Sequence, residues 1–160
     1  MENILYEFVT LYYFFYLYNH MTRVYMDGVF DLFHRGHLES INKCLKYGDE
    51  IIIGIISDKD AESYKRKPII NQDDRSEIIK NLKNVSDIIF PAPLILTKDF
   101  IINNKIDIIV HSFSNNKDFE IQKDFFKVPI DMGIFKKIDY YDKISTTNII
   151  KKIIDRDNSI

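Results

Sequence analysis

The sequence holds a single cysteine, Cys44, and no tryptophan. One thiol forms no intrachain disulfide, so the chain is not a disulfide-stapled scaffold, and a reducing, cytoplasmic compartment fits. Cys44 falls on the apolar face of a helical pattern and reads as core filler, not as a nucleophile. Glycine and proline are sparse, at 5 and 4 residues, which excludes collagen-like and low-complexity chains. Neither sign of charge dominates, with 22 Lys+Arg against 24 Asp+Glu and a net charge of −2. A chain without a basic excess lacks the electrostatic footprint for nucleic acid, so no nucleic-acid partner is expected. No apolar run reaches the ~20 residues of a membrane-spanning helix.

Apolar material is plentiful nonetheless: 46% of 160 residues are hydrophobic, enough for the core of one ordinary domain. The first twenty residues stand apart. Ile4 to Tyr18 is an aromatic run interrupted by Glu7, without the basic start of a secretory signal. Residues 1–20 are expected to be an N-terminal extension that covers an apolar surface or is poorly ordered, ahead of a domain over residues 21–160. Membrane association through residues 4–18 is the less favoured reading, based on the preference of Tyr and Phe for the membrane boundary.

From Arg23 onward, strand-type apolar runs alternate with helical patterns. Val24 to Met26, Glu50 to Ile56, Ser86 to Phe90, Asp107 to Val110 and Gly133 to Ile138 read as strands. Leu38 to Tyr47, Asn71 to about Leu82, Thr97 to Asn103 and Ser145 to Asp155 read as helices with recognisable starts. Lys59 to Lys67 and Ser112 to Asp124 are polar and read as loops, and Pro91-Ala92-Pro93 is expected to end the third strand. The alternation predicts an α/β fold: a Rossmann-like open parallel five-stranded sheet with helices on both faces, binding ligands at the carboxyl ends of its strands.

The chemistry-bearing residues fall at those ends. His34-Arg35-Gly36-His37 follows the first strand through Asp27-Gly28-Val29-Phe30-Asp31. A strand–turn–helix unit aims backbone N–H groups and the positive helix end at an anion, and residues three apart share a helix face. Gly36 leaves room for a nucleotide close to the backbone. Lys65 follows strand two, His111 ends strand four, and Ile144-Ser145-Thr146-Thr147 opens the helix after strand five. Taken singly, each has a plainer reading. The Ser-Thr-Thr box is a good helix cap, Lys65 a solvated charge, and Asp27 a turn residue before Gly28. Arg75 reads as a structural ion pair tying its loop to the sheet.

The histidine string, with Asp27-Gly28 before Phe30-Asp31, resembles the HxGH signature of the nucleotidyltransferase superfamily. Within it, the match is to the cytidylyltransferase branch that activates phosphocholine and phosphoethanolamine. The resemblance spans about Arg23 to Asp155. It implies transfer of CMP from CTP to a phosphorylated amino alcohol, giving a CDP-alcohol and pyrophosphate, with Mg²⁺ accompanying CTP and a homodimer as the assembly. At the matched positions it implies that His34, His37 and Lys65 act on the phosphates. Val29, Phe30, Gly36, His111, Ile144, Ser145, Thr146 and Thr147 would hold the nucleotide, and Asp27 would face a cationic head group. No set of protein metal ligands is visible. Phosphocholine is narrowly favoured, with phosphoethanolamine as the alternative.

Three positions depart from the family's pattern. His111-Ser112-Phe113 lacks an acidic residue after the histidine. Tyr140-Tyr141-Asp142-Lys143 stands where an arginine and a glycine precede the Ser-Thr-Thr box, and Leu94 replaces a tryptophan. These departures support a second reading, a catalytically weakened nucleotide-binding or regulatory protein on the same fold.

Overall fold

The computed structural model describes residues 21–157; the aromatic stretch, and any role for it, lies outside the described residues. β1 (Arg23–Gly28), β2 (Glu50–Ile56), β3 (Asp87–Ala92), β4 (Ile108–His111) and β5 (Phe135–Lys137) form one sheet in the order β3-β2-β1-β4-β5. Every pairing is parallel. β1 and β2 run in register from Arg23 opposite Glu50 to Gly28 opposite Ile55. In the central strand, Val24 and Met26 enter one apolar cluster with Ile41, Ile51 and Ile53. Tyr25 enters another with Ile52, Leu96 and Ile109. Because both faces are covered, β2 reads as an unbroken apolar run without polar alternation.

Helices flank the sheet on both sides, as the alternation implies. They are α1 (Arg35–Cys44), α2 (Asp58–Tyr64), α3 (Gln72–Lys80), α4 (Lys98–Asn103), α5 (Asn116–Gln122), α6 (Lys127–Asp131) and α7 (Thr146–Asp157), with a 3₁₀ turn over Lys123–Phe126. Ile41 and Cys44 of α1 and Ile79 of α3 share the first cluster, and Ile101 of α4 and Phe126 lie in the second. Cys44 is fully buried, and burial pushes its thiol up to about 12, which suits core filler. From β1 the chain winds outward to β2 and β3, then returns to lay β4 on the other side of β1. This reversal opens a crevice at the carboxyl ends of β1 and β4.

Two stretches expected as loops contain helices. In Lys59–Lys67, α2 is started by Ser57, whose hydroxyl accepts from the Asp60 N–H; in Ser112–Asp124, α5 is started by Asn115, which accepts from the Asp118 N–H. Each buries a single residue, Ala61 or Gln122, so neither shows the apolar periodicity that marks a longer helix. Nor does the third strand stop before Pro91. It continues through a cis Phe90–Pro91 bond to Ala92, which pairs with Ile56 after a register shift. β3 is an edge strand, where the missing proline N–H costs no ladder bond. Gly54 in β2 has a steric reason: a Cβ there would lie 2.1 Å from the Tyr25 hydroxyl.

Candidate active site

The loop leaving β1 shapes the site. Phe30 (φ 54°) and Leu32 (φ 47°) both take left-handed backbone, which costs a non-glycine residue about 1–2 kcal/mol. The surroundings hold the loop in place. Arg75 donates to the carbonyls of Val29 and Ile56, the latter at 3.0 Å. The Asp31 carboxylate accepts from the N–H groups of Ile69 (3.1 Å) and Ile70 (2.9 Å), and the Thr146 hydroxyl donates to the Asp31 carbonyl at 2.9 Å. Asp31 therefore joins the β1 loop, the segment before α3 and the start of α7.

The first turn of α1 is capped by histidines. His34 Nδ1 accepts from the Gly36 N–H at 3.0 Å, and His37 Nδ1 faces the His34 N–H at 3.4 Å. With both Nδ1 atoms accepting, each neutral ring carries its proton on Nε2. The rings stack at 3.8 Å and 19°, and Phe30 and Phe33 pack on His37 at 5.5 and 5.7 Å. Burial, then His34 and Lys65, push His37 down to about 3, and burial lowers His34. At neutral pH the pair is thus two uncharged N–H donors at the positive end of a helix. At Gly36 the chain itself also leaves no room for a side chain. A Cβ there would meet the His34 ring at 2.9 Å and the Ile144 carbonyl at 3.3 Å, so the glycine lets α1 close on the segment before α7.

A cleft of about 360 Å³ opens over these rings, within the range of small-ligand sites. Asp27, Val29, Phe30, His34, Gly36 and His37 line it from the β1–α1 side, and His111 from the end of β4. Lys65 and Arg66 reach it from the end of α2, and Ser145, Thr146 and Thr147 from the start of α7. Of the residues expected at the site, Ile144 alone is off the wall, contributing its carbonyl to the contact with Gly36. Arg66 Nη1 donates to Thr147 Oγ1 at 3.2 Å, and Ser145 Oγ caps α7 by accepting from the Asn148 N–H at 3.1 Å. Asp27 and His111 are both buried, and Oδ1 of the carboxylate lies 3.2 Å from Nδ1 of the ring. A carboxylate only accepts, so that ring nitrogen carries the proton. Behind Asp27 lies a recess of about 30 Å³, walled by Tyr64, Leu94, Phe125 and Phe126 among others. Among the described residues, no group of three or more His, Cys, Asp or Glu could hold a metal ion. The cleft thus brings convergent N–H groups and the cations Lys65 and Arg66 together with the carboxylates Asp27, Asp31 and Asp118.

Residues 25–152 match the profile of a family described as cytidylyltransferase-like. This chain belongs to the cytidylyltransferase-like family. It is similar to an ethanolamine-phosphate cytidylyltransferase of Arabidopsis thaliana, 34% identical over 135 residues, covering 82% of this chain and 32% of the relative. Choline-phosphate cytidylyltransferase 2 of the same plant is 32% identical over 135 residues, covering 82% and 44%. The match thus spans between about a third and under half of the length of these curated relatives. Among solved structures, the lipopolysaccharide core biosynthesis protein from Thermoplasma volcanium GSS1 shares the fold with a TM-score of 0.60. It is 29% identical, and the match covers 77% of this chain and 100% of that one.

In this cytidylyltransferase-like chain, the structure adds Asp31 and Asp118 to the residues singled out from sequence, and it brings Arg66, the next candidate after Lys65, to the same wall. Asp31 sits inside the histidine string and Arg66 beside Lys65, so adjacency is a usable signal for both. Asp118 has none, because its segment reads as loop.

Neutral His37 ties stability to pH. Unfolded histidine titrates near ~6.5, so below that pH the unfolded chain binds a proton that the fold refuses. Stability is therefore expected to fall as pH drops from 6.5 toward 3. A His37→Gln protein should lose less melting temperature than the native chain between about pH 7 and about pH 5. Equal losses would mean that His37 protonates freely in the fold.

Proposed function

We propose that this protein transfers CMP from CTP to a phosphorylated amino alcohol, releasing pyrophosphate. The reading is carried by the two stacked imidazoles at the start of α1, whose Nε2–H groups have no partner among the described residues. They share a cleft with Lys65 and the Ser145–Thr147 helix end. The incoming phosphate monoester has a second pKa near ~6 and is largely a dianion at neutral pH, so no general base is needed. Its oxygen bonds to the α-phosphorus of CTP as the bond to the bridging oxygen breaks, and pyrophosphate leaves with that electron pair. The chain's part is alignment and charge stabilisation. His34 and His37 donate to phosphate oxygens whose charge grows, and Lys65 and the amides of α7 hold the leaving group. In the cleft, Asp27, Asp31 and Asp118 each have protein partners. Mg²⁺ would enter with CTP and would neutralise triphosphate charge there, as the family resemblance implies.

Arg66 bears on the weakened-protein reading. The arginine expected before the Ser-Thr-Thr box is absent, yet the Arg66 guanidinium reaches Thr147 from a different segment. A planar fork of donors suits phosphate, and its position supports an active enzyme.

The size of the recess supports the alternative head group over the one favoured from sequence. A recess of about 30 Å³ admits roughly two water-sized spheres. That leaves room for a primary ammonium and crowds a trimethylammonium. Asp27 Oδ2, free of hydrogen bonds among the described residues, is the available anion. We therefore place phosphoethanolamine ahead of phosphocholine. Radiolabelled CTP incubated with phosphoethanolamine, phosphocholine or glycerol 3-phosphate is expected to give CDP-ethanolamine fastest. Asp27→Asn should then cost the amino alcohol roughly tenfold or more in kcat/KM, with KM for CTP little changed, since a charged hydrogen bond is worth ~1.5–3 kcal/mol. No transfer to any acceptor would favour the weakened protein, and equal use of ATP would remove the cytidylyl assignment.

A further inference from the structure

The phosphate cleft contains a carboxylate for which the proposed reaction has no use. Asp118, on α5, lines the cleft with its side chain 12% exposed. A fixed negative charge there opposes a polyphosphate, yet this one is firmly built in. Its Oδ2 accepts from the Ser114 N–H at 2.9 Å and the Ser114 hydroxyl at 3.1 Å, and its Oδ1 from Gln122 Nε2 at 2.5 Å. Gln122 is itself buried. Lys65 Nζ stands 3.5 Å from the same Oδ1.

Lys65 is the loose partner of this pair. It caps the end of α2, its side chain is 45% exposed, and its ammonium also lies 5.4 Å from the Tyr64 ring. A lysine stem carries ~2 kcal/mol of rotamer freedom, so an untethered ammonium would be spread over many positions at the rim. Burial raises the Asp118 carboxyl, but Lys65 and the Ser114 and Gln122 donors more than offset this and hold it below its ordinary value. It is therefore ionised at neutral pH, while Lys65 supplies the opposite charge.

We propose that Asp118 is a positioning residue that holds the Lys65 ammonium at the rim of the phosphate cleft and so sets where that cation stands as charge develops on the leaving group. The proposal rests on the phosphate-cleft reading above. It predicts two effects of opposite sense. Without the carboxylate, the cleft repels polyphosphate less and CTP binds more tightly. Lys65 also loses its fixed place, and turnover falls. A purely structural role, capping the first turn of α5 through Ser114, would weaken both.

The experiment uses the full chain with Asp118→Asn, Lys65→Ala, the double variant, and Ser114→Ala, which removes one bond to the carboxylate and keeps its charge. Asp118→Asn is expected to lower kcat about tenfold, as misplacement of a catalytic group does. It should also lower KM for CTP, and the calorimetric Kd for CTP alone, about threefold, the scale of one partly exposed charge pair. Added to Lys65→Ala, it should cost no further kcat, because both changes remove the same placed cation. Ser114→Ala, which keeps the carboxylate and the Ser114 N–H bond to it, should lower kcat less than Asp118→Asn does. Additive losses in the double variant, an unchanged kcat in Asp118→Asn, or weaker CTP binding would overturn the proposal. If the native chain binds CTP but transfers no CMP, the functional reading fails, and the calorimetric comparison still decides whether Asp118 opposes the nucleotide.

Discussion

A His37→Ala protein is expected to fold and to turn over about 10²–10³ more slowly, the usual cost of one donor aimed at developing charge, roughly 2.7–4 kcal/mol. The expectation follows from the tautomer. His37 Nδ1 is committed to the His34 N–H, so Nε2–H is the hydrogen offered to the cleft. Lys65→Ala should fall by a similar factor for the complementary reason, loss of the one lysine on the cleft wall among the described residues. His37→Gln separates chemistry from packing, since a glutamine amide can place a donor near the Nε2 position. It should recover part of the lost rate, whereas a variant that merely fills space should not. Steady-state rates with CTP and phosphoethanolamine, beside circular dichroism and melting curves, decide the matter. A folded His37→Ala or Lys65→Ala protein with near-native kcat would show that the phosphates lie elsewhere.

Much of this site is legible in the sequence because its parts follow their strands directly. His34 and His37 come one loop after β1, His111 is the last residue of β4, and Ser145 caps α7. In a parallel sheet all carboxyl ends face one way, so local motifs converge without any long-range information. The sheet is legible for a related reason. Burial on both faces writes a strand as an uninterrupted β-branched run, as in Ile51-Ile52-Ile53. The pairs that tune the site are not legible. Lys65 meets Asp118, and Arg66 meets Thr147, only because α2 and α5 exist. Those helices are short and polar, and their side-chain caps outweigh their weak apolar pattern. Gly36 carries a further constraint invisible in the sequence, because the atoms that a Cβ there would meet include a carbonyl from the far end of the chain.

Arg75 is expected to matter more to stability than any side chain that lines the cleft. Its sequence context reads as an ion pair tying its loop to the sheet, and the structure places its side chain at 0% exposure against Asp58 Oδ1 at 2.6 Å. The guanidinium also donates to the carbonyls of Ile70, Val29 and Ile56. One planar group therefore joins the ends of β1 and β2, the start of α2 and the entry to α3. Asp58 is partly exposed, so most of the cost lies in the carbonyls left without a donor, at ~1–3 kcal/mol for each buried unsatisfied group. Arg75→Met should accordingly shift the urea midpoint strongly downward, because three carbonyls and the Asp58 carboxylate lose their donor. Arg75→Lys keeps the charge but not the fork, so its midpoint should fall between those of the native chain and Arg75→Met. The Lys variant extends the argument to function. With the Val29 carbonyl less firmly held, the left-handed turn at Phe30 loses part of what fixes it, and the ring that packs on His37 moves with it. Its CTP affinity should therefore fall even under conditions where it is fully folded. A native urea midpoint for Arg75→Met would show that these donors are dispensable and that the loop is held by Asp31 alone.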